Sequence, residues 1–173
     1  MAIHEETLAP VSVAEAGSKY HRRQLIVFKQ GQEEYGLTID QIKEVVITPP
    51  ITRMPQTPSF VKGVANIRGN IIAIIDLEEK FGLRSPSDEA PSVGHYTLVV
   101  ESEEFKIGIL VKEVPNTLTV SEADIEESTN LVLEGAAEGN YLKGIVKVKD
   151  RLIILMDIFQ VMRQPDIRLA LKK

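Results

Sequence analysis

Two aspartates, Asp76 and Asp157, stand at matching places in a sequence that repeats itself, and a symmetric pair of carboxylates invites a catalytic reading. Their surroundings point elsewhere. Each opens a short helical pattern and is followed three residues later by Glu79 or Gln160. That is an aspartate form of the capping box: the carboxylate accepts orphan helix N–H groups and the third residue reaches back. Asp76 and Asp157 are therefore expected as structural helix caps. The histidines offer no more: His4, His21 and His95 have neither a second histidine nor a closely spaced carboxylate pair at ligand spacing. The chain has no cysteine, hence no thiol nucleophile and no thiolate metal site. Gly63 to Gly69 lacks the spacing and the lysine of a phosphate loop, and it precedes a strand rather than a helix. The sequence predicts no catalytic residues, no metal and no cofactor.

Arg68 is the charged residue that stands out, because it sits at the tip of a hairpin pattern. It reads as a solvated turn charge, as half of a surface pair with Glu44, or as part of a partner surface. Nearby, Val45-Val-Ile47 runs apolar on both faces of a strand, since consecutive strand residues point opposite ways. One face is core; the other is a contact between subdomains or an exposed apolar strip of the kind that marks a docking surface.

The elements that position these residues come in two copies. Gly63 to Leu77 recurs 81 residues later as Gly144 to Ile158, with Gly63 matching Gly144, Asp76 matching Asp157 and Arg68 facing Lys149. Upstream, Leu25–Phe28 and Glu34–Ile39 lie against Leu98–Glu101 and Lys106–Val111, with a turn one residue shorter in the second copy. Each copy reads as strand, turn, strand, strand, irregular link, hairpin and short helix. Many short strands with turns between them predict small barrels. Strands are expected at Arg22–Lys29, Tyr35–Ile39, Ile42–Ile47, Tyr96–Val100, Phe105–Val111 and Glu113–Val120. Hairpins are expected at Phe60–Ile75, turned at Arg68-Gly-Asn70, and at Tyr141–Met156, turned at Lys149-Asp-Arg151. Helical turns follow at Leu77–Phe81 and Ile158–Met162. Four prolines between Thr48 and Pro58 make a stiff extended link. Gly63 and Gly144 are expected to permit close packing between the barrels. Ser121-Glu-Ala-Asp124 opens a short capped helix in an acidic stretch running to Gly139. Residues 1–21 read as a flexible leader, 22–163 as the folded domain (repeats about 22–83 and 94–163, with strands free to interleave between barrels) and 164–173 as a tail with a short helix.

Composition narrows the function. A net charge of −5 argues against a nucleic-acid binder, which needs a basic face with interleaved aromatics. No run reaches the roughly 18 apolar residues of a membrane span. The cysteine-free, leader-acidic sequence has no signal peptide and points to the cytoplasm.

Ile42-Lys-Glu-Val-Val, followed by Ile51-Thr-Arg-Met-Pro-Gln-Thr-Pro-Ser-Phe-Val-Lys-Gly-Val-Ala-Asn-Ile-Arg-Gly-Asn-Ile-Ile-Ala-Ile-Ile-Asp-Leu77, resembles the CheW family of chemotaxis coupling proteins. Tyr141-Leu-Lys-Gly144 and Asp150 to Asp157 resemble its second half, so the likeness runs from about Arg22 to Met162. It implies a mainly all-β fold of two five-stranded SH3-like β-barrels packed side by side, with short helices after each hairpin. It further implies a non-catalytic adaptor that bridges the cytoplasmic tip of a chemoreceptor (a methyl-accepting chemotaxis protein) to the regulatory domain of a CheA-type histidine kinase. Such a protein binds no nucleic acid and meets the membrane only indirectly, through receptors. Glu44, Lys62 and Arg68 match the family positions associated with receptor coupling, and Val45 beside Glu44 joins them as a candidate. Ala73 stands where the family usually has proline, and Lys112-Glu113 replaces an Asp-containing pair. The alternatives are a related adaptor of a surface-motility kinase array, or a small-barrel module with another protein partner.

Overall fold

The computed structural model describes residues 21–83, 95–127 and 141–163. The expected leader (1–20 of it), the inter-repeat link at 85–94, most of the acidic stretch and the C-terminal helix at 166–173 lie outside the described residues.

Eleven strands form two sheets among the described residues. They are β1 (Arg22–Gln30), β2 (Glu33–Thr38), β3 (Ile42–Ile47), β4 (Val61–Ile67), β5 (Asn70–Ile75), β6 (Tyr96–Glu101), β7 (Lys106–Val111), β8 (Asn116–Ser121), β9 (Ile125–Glu127), β10 (Leu142–Val148) and β11 (Arg151–Met156). Helices α1 (Leu77–Phe81) and α2 (Ile158–Met162) follow β5 and β11. One sheet has the order β8-β1-β2-β11-β10-β9 and the other β3-β6-β7-β5-β4. The sheets do not follow the sequence halves. The β1–β2 hairpin of the first half joins the strands that close the second half, and β6–β7 joins β3 to β5.

Strand alternation explains why each sheet serves two cores. On β1, Leu25 and Val27 turn into one barrel with Val120, Val146, Ile153 and Leu155. Ile26 and Phe28 turn the other way. In the second barrel Ala65, Ile67, Ile72, Ile74, Val99 and Leu110 fill the interior. The largest core lies between the barrels, where Ile26, Phe28, Tyr35 and Leu37 meet Leu98, Val100, Ile107 and Ile109, with Leu77, Ile158, Val161 and Met162 from the helices. The two-barrel expectation holds. The first barrel carries a sixth strand, β9, which pairs with β10. Its counterpart in the second is cut to one bridge, Thr52 to Val64, within the proline-rich link.

Cross-strand pairing corrects the repeat alignment by one residue. Val27 pairs with Gly36 and Val99 with Gly108, closing equal spans, so Ile26 rather than Leu25 corresponds to Leu98 and no turn is shorter. A one-residue slip would exchange the faces, placing interior Leu25 on a contact-layer position.

Gly63 and Gly144 also differ from expectation. Each sits at a β-bulge, and the close approach is within its own barrel. A Cβ on Gly63 would stand 2.2 Å from Thr52 O, and one on Gly144 would stand 2.4 Å from Glu126 O.

Both hairpins turn on two residues rather than three. Ile67 pairs with Asn70 and Val148 with Arg151. Arg68 (φ 53°) and Gly69 (φ 87°) are both left-handed, the pattern whose twist suits a two-residue hairpin. Lys149 has the same conformation (φ 54°), so the strained φ belongs to the turn and not to arginine.

The Asp76 side chain caps α1, accepting from the N–H groups of Glu78 and Glu79; Asp157 caps α2, accepting from Phe159. Each aspartate's own N–H donates to a backbone carbonyl, Phe60 O (2.8 Å) and Tyr141 O (2.7 Å). That replaces the reach-back expected of a capping box. Ser121 caps a short 3-10 turn, Glu122–Asp124, accepting from the Ala123 N–H.

Candidate docking surface

The strand β3 lies at the edge of its sheet, and its side chains alternate between half-buried and exposed. Val46 packs against the barrel interior. Val45 and Ile47 face outward, 40% and 77% exposed. They lie cross-strand from Leu98 and Tyr96, which belong to the contact layer between the barrels. The outward strip therefore continues that apolar layer past the point where the other barrel covers it.

Glu44 lies on the opposite face of β3, cross-strand from buried Val99. Its carboxylate leans to the neighbouring hairpin tip, where Arg68 Nε donates to Glu44 Oε1 at 2.7 Å. The glutamate side chain is 19% exposed and the arginine 71%. The tip is braced by Asn66 Oδ1, which accepts the Gly69 N–H at 2.9 Å. No backbone pairing joins β3 to β4, so this ion pair crosses the open seam of the barrel. An exposed pair of this kind adds about 0.2–1 kcal/mol at most. It sets geometry more than stability. Among the described residues the guanidinium makes no other hydrogen bond, which leaves its remaining N–H donors facing water.

Lys62 is not brought to this place. It occupies the far end of the seven-residue β4, about 20 Å from Arg68 at roughly 3.3 Å per residue. There Lys62 Nζ is 3.8 Å from Asp76 Oδ2, beside the cap of α1. Glu44 and Arg68 thus touch, Val45 adjoins them on the outer face, and Lys62 belongs to a different corner. Ile71, 68% exposed on β5, is an apolar surface residue that the sequence reading missed. Strand period alone would have found it, since Ile72 and Ile74 point inward.

Nothing near the tip assembles for catalysis. No cluster of three metal-ligating side chains occurs among the described residues. Tyr35, in the contact layer, is held above the usual phenol range chiefly by burial and further by Tyr141 and Glu33 nearby. Its ring stacks on Phe28 at 6.4 Å, a packing role. No helix among the described residues is long and apolar enough to cross a membrane.

Two fused small barrels, with a charged hairpin tip beside a bare apolar edge strand, define a protein-docking module. Residues 24–166 match the model of the CheW-like domain, and the chain belongs to that family. It is 33% identical over 156 residues to "Chemotaxis protein CheW" of Helicobacter pylori, covering 87% of this chain and 90% of the relative. It is 31% identical over 148 residues to the protein of that name from Klebsiella aerogenes, covering 86% of each. Among solved structures it resembles the scaffolding protein TtCheW from Thermoanaerobacter tengcongensis. The TM-score is 0.64 at 32% identity, over 79% of this chain and 84% of that one.

Proposed function

We propose that the chain is a non-catalytic chemotaxis adaptor, cytoplasmic, that couples receptor cytoplasmic tips to the regulatory domain of a CheA-type histidine kinase. The observation that carries this is the Glu44–Arg68 pair at an exposed tip next to the bare Val45 and Ile47. A partner that enters here gains apolar burial from β3 and finds guanidinium donors already aimed by Glu44. Such preorganisation lowers the ordering cost of binding. Residues 22–163 make up the coupling unit, and Lys62 contributes through the α1 corner rather than at the tip.

The test measures affinity for a receptor cytoplasmic fragment and for the kinase regulatory domain separately. Arg68→Ala and Val45→Asp should each weaken at least one of them while the far-ultraviolet spectrum and melting midpoint hold. Wild-type affinity for both partners in both variants would overturn the assignment of this surface.

A further inference from the structure

Two corners of the contact layer are quasi-equivalent: in each, a hairpin turn of one barrel rests on the helix of the other. The β6–β7 turn brings Phe105 edge-on to Phe159 of α2, 6.1 Å between ring centroids. The β1–β2 turn meets α1 at Glu78, which stands where α2 has Phe159, since Asp76 corresponds to Asp157. One corner is closed by rings and the other by a charge.

Glu78 is 4% exposed, although it is a carboxylate. Its Oε2 accepts the Gly31 N–H at 2.8 Å, across the boundary between the two sheets. Gly31 is left-handed (φ 65°), and a Cβ there would stand 3.0 Å from Leu83 Cβ and from Leu83 O. The turn is thus pressed onto the end of α1, where the Leu83 N–H donates to Glu78 O at 2.8 Å. The charge is answered by Lys112 Nζ, 3.3 Å from Glu78 Oε1. Lys112 belongs to the Lys112-Glu113 pair that departs from the family pattern, and its partner in this chain is Glu78. Partners of this kind hold a buried carboxylate firmly, because losing one leaves the charge uncompensated.

The Glu78 corner lies at the Ile47 end of the contact layer. Ile47 pairs with Tyr96, and Tyr96 with Val111, the residue before Lys112. Two strand spacings, about 10 Å, separate Ile47 from Val111. Where the first barrel comes to rest at this corner therefore decides how far it reaches over Tyr96 toward Ile47.

We propose that Glu78 is the positioning residue of the docking surface: by holding the Gly31 turn, it fixes the angle between the barrels and so the apolar strip that β3 leaves bare. This rests on the docking role of Val45 and Ile47. Being buried, Glu78 acts through the first barrel rather than by touching the partner. The uncharged Phe105–Phe159 corner serves as the pivot.

Pulsed electron–electron resonance between two spin labels tests the angle, and a chain without cysteine makes the labelling specific. The labels are placed by Lys147→Cys in the first barrel and Asn70→Cys in the second, both at exposed positions. Glu78→Leu removes the acceptor, and Lys112→Glu sets a like charge beside it. Each should displace or broaden the wild-type distance distribution and lower Gly31 amide protection at least about tenfold. Adding Glu78→Gln to Lys112→Glu should restore both, because the repulsion is gone and the amide oxygen still accepts the Gly31 N–H. Recovery also excludes misfolding as the cause. In the unlabelled proteins, affinity for the receptor fragment or the kinase regulatory domain should fall at least about fivefold in the two single variants and return in the double variant. Distances and exchange unmoved by both single variants, or not restored in the double variant, would overturn the proposal. So would displaced barrels with wild-type affinity for both partners; Arg68→Ala, measured alongside, then tells whether the docking reading falls with it.

Discussion

The two hairpin tips share a two-residue loop and a left-handed first residue, Arg68 at φ 53° and Lys149 at φ 54°, yet their flanks diverge. Beside Arg68 stand Glu44, Val45 and Ile47; at the corresponding places beside Lys149 stand Asn116, Thr117 and Thr119. Backbone geometry that recurs in both barrels is a requirement of the fold. Side chains that differ between them are where one barrel has acquired a task. By that criterion the edge of β3, with its bare aliphatics and its aimed guanidinium, is the side we propose meets a partner, and β8 carries a carboxamide and two threonines there.

The largest expected effect tests what the barrels share. Gly63→Ala should lose about 3 kcal/mol or more, because the new Cβ collides with backbone and the φ of 142° is foreign to alanine. Gly144→Ala should lose less: it meets a similar collision but has no positive φ. Equal denaturation midpoints for the two variants would show that the positive φ at Gly63 adds nothing to the collision.

Next comes the contrast between the tips. Arg68→Ala should weaken partner binding by roughly 2–5 kcal/mol, the usual loss when one member of a desolvated charge pair is truncated. Folding stability should change by less than about 0.5 kcal/mol. Arg68→Lys should recover part of the affinity, since lysine lacks the planar two-donor fork. Lys149→Ala should leave receptor and kinase affinity alone. Titration calorimetry on the three variants decides the matter, and an equal loss at both tips would erase the distinction.

The caps give a smaller difference. Asp76→Ala and Asp157→Ala should each lower stability by on the order of 1 kcal/mol without abolishing partner binding. Asp76→Ala should lose more, since that buried carboxylate accepts two helix N–H groups and lies 3.8 Å from Lys62 Nζ, whereas Asp157 accepts one helix N–H and the Gln41 amide at 2.9 Å. A melting midpoint unchanged in either variant would contradict the cap geometry.

The smallest effect is a pH dependence. Folding raises the Tyr35 pKa by burial, so the native state keeps the phenol proton longer than the unfolded chain. The stabilisation is complete below the unfolded value of about 10 and is lost as pH rises through the folded value. Alkaline denaturation should therefore be shallower in Tyr35→Phe, read by urea midpoints on either side of pH 10.

Much of this architecture was legible because it rests on local signals. Hairpin alternation, the proline-rich link and an aspartate before each apolar helix are each fixed within a few residues, and the structure has strands and helix starts close to where they fall. What escaped depends on distant pairing. The offset of β1 against β6 is set by Gly36 and Gly108, which face barrel interiors, and short apolar runs align almost equally well one residue apart. The three-residue β9 is stabilised by pairing with β10 rather than by its own acidic composition. Glu44 and Arg68 were recognisable as a pair. That Lys62 lies at the opposite end of β4 follows only from strand rise, which a family motif written as a line of residues conceals.

The exchange of hairpins between sheets also governs how the chain is made. The strand β1 pairs with β8, Arg22 against Ser121, and β2 pairs with β11, Glu34 against Ile153. The β1–β2 hairpin therefore keeps exposed apolar faces until β8 and β11 have been synthesised after it. Pairings of such long sequence separation fold slowly, and neither half can complete a barrel alone. Cutting the chain between the repeats would yield two fragments that recover structure only together, in one cooperative, concentration-dependent step.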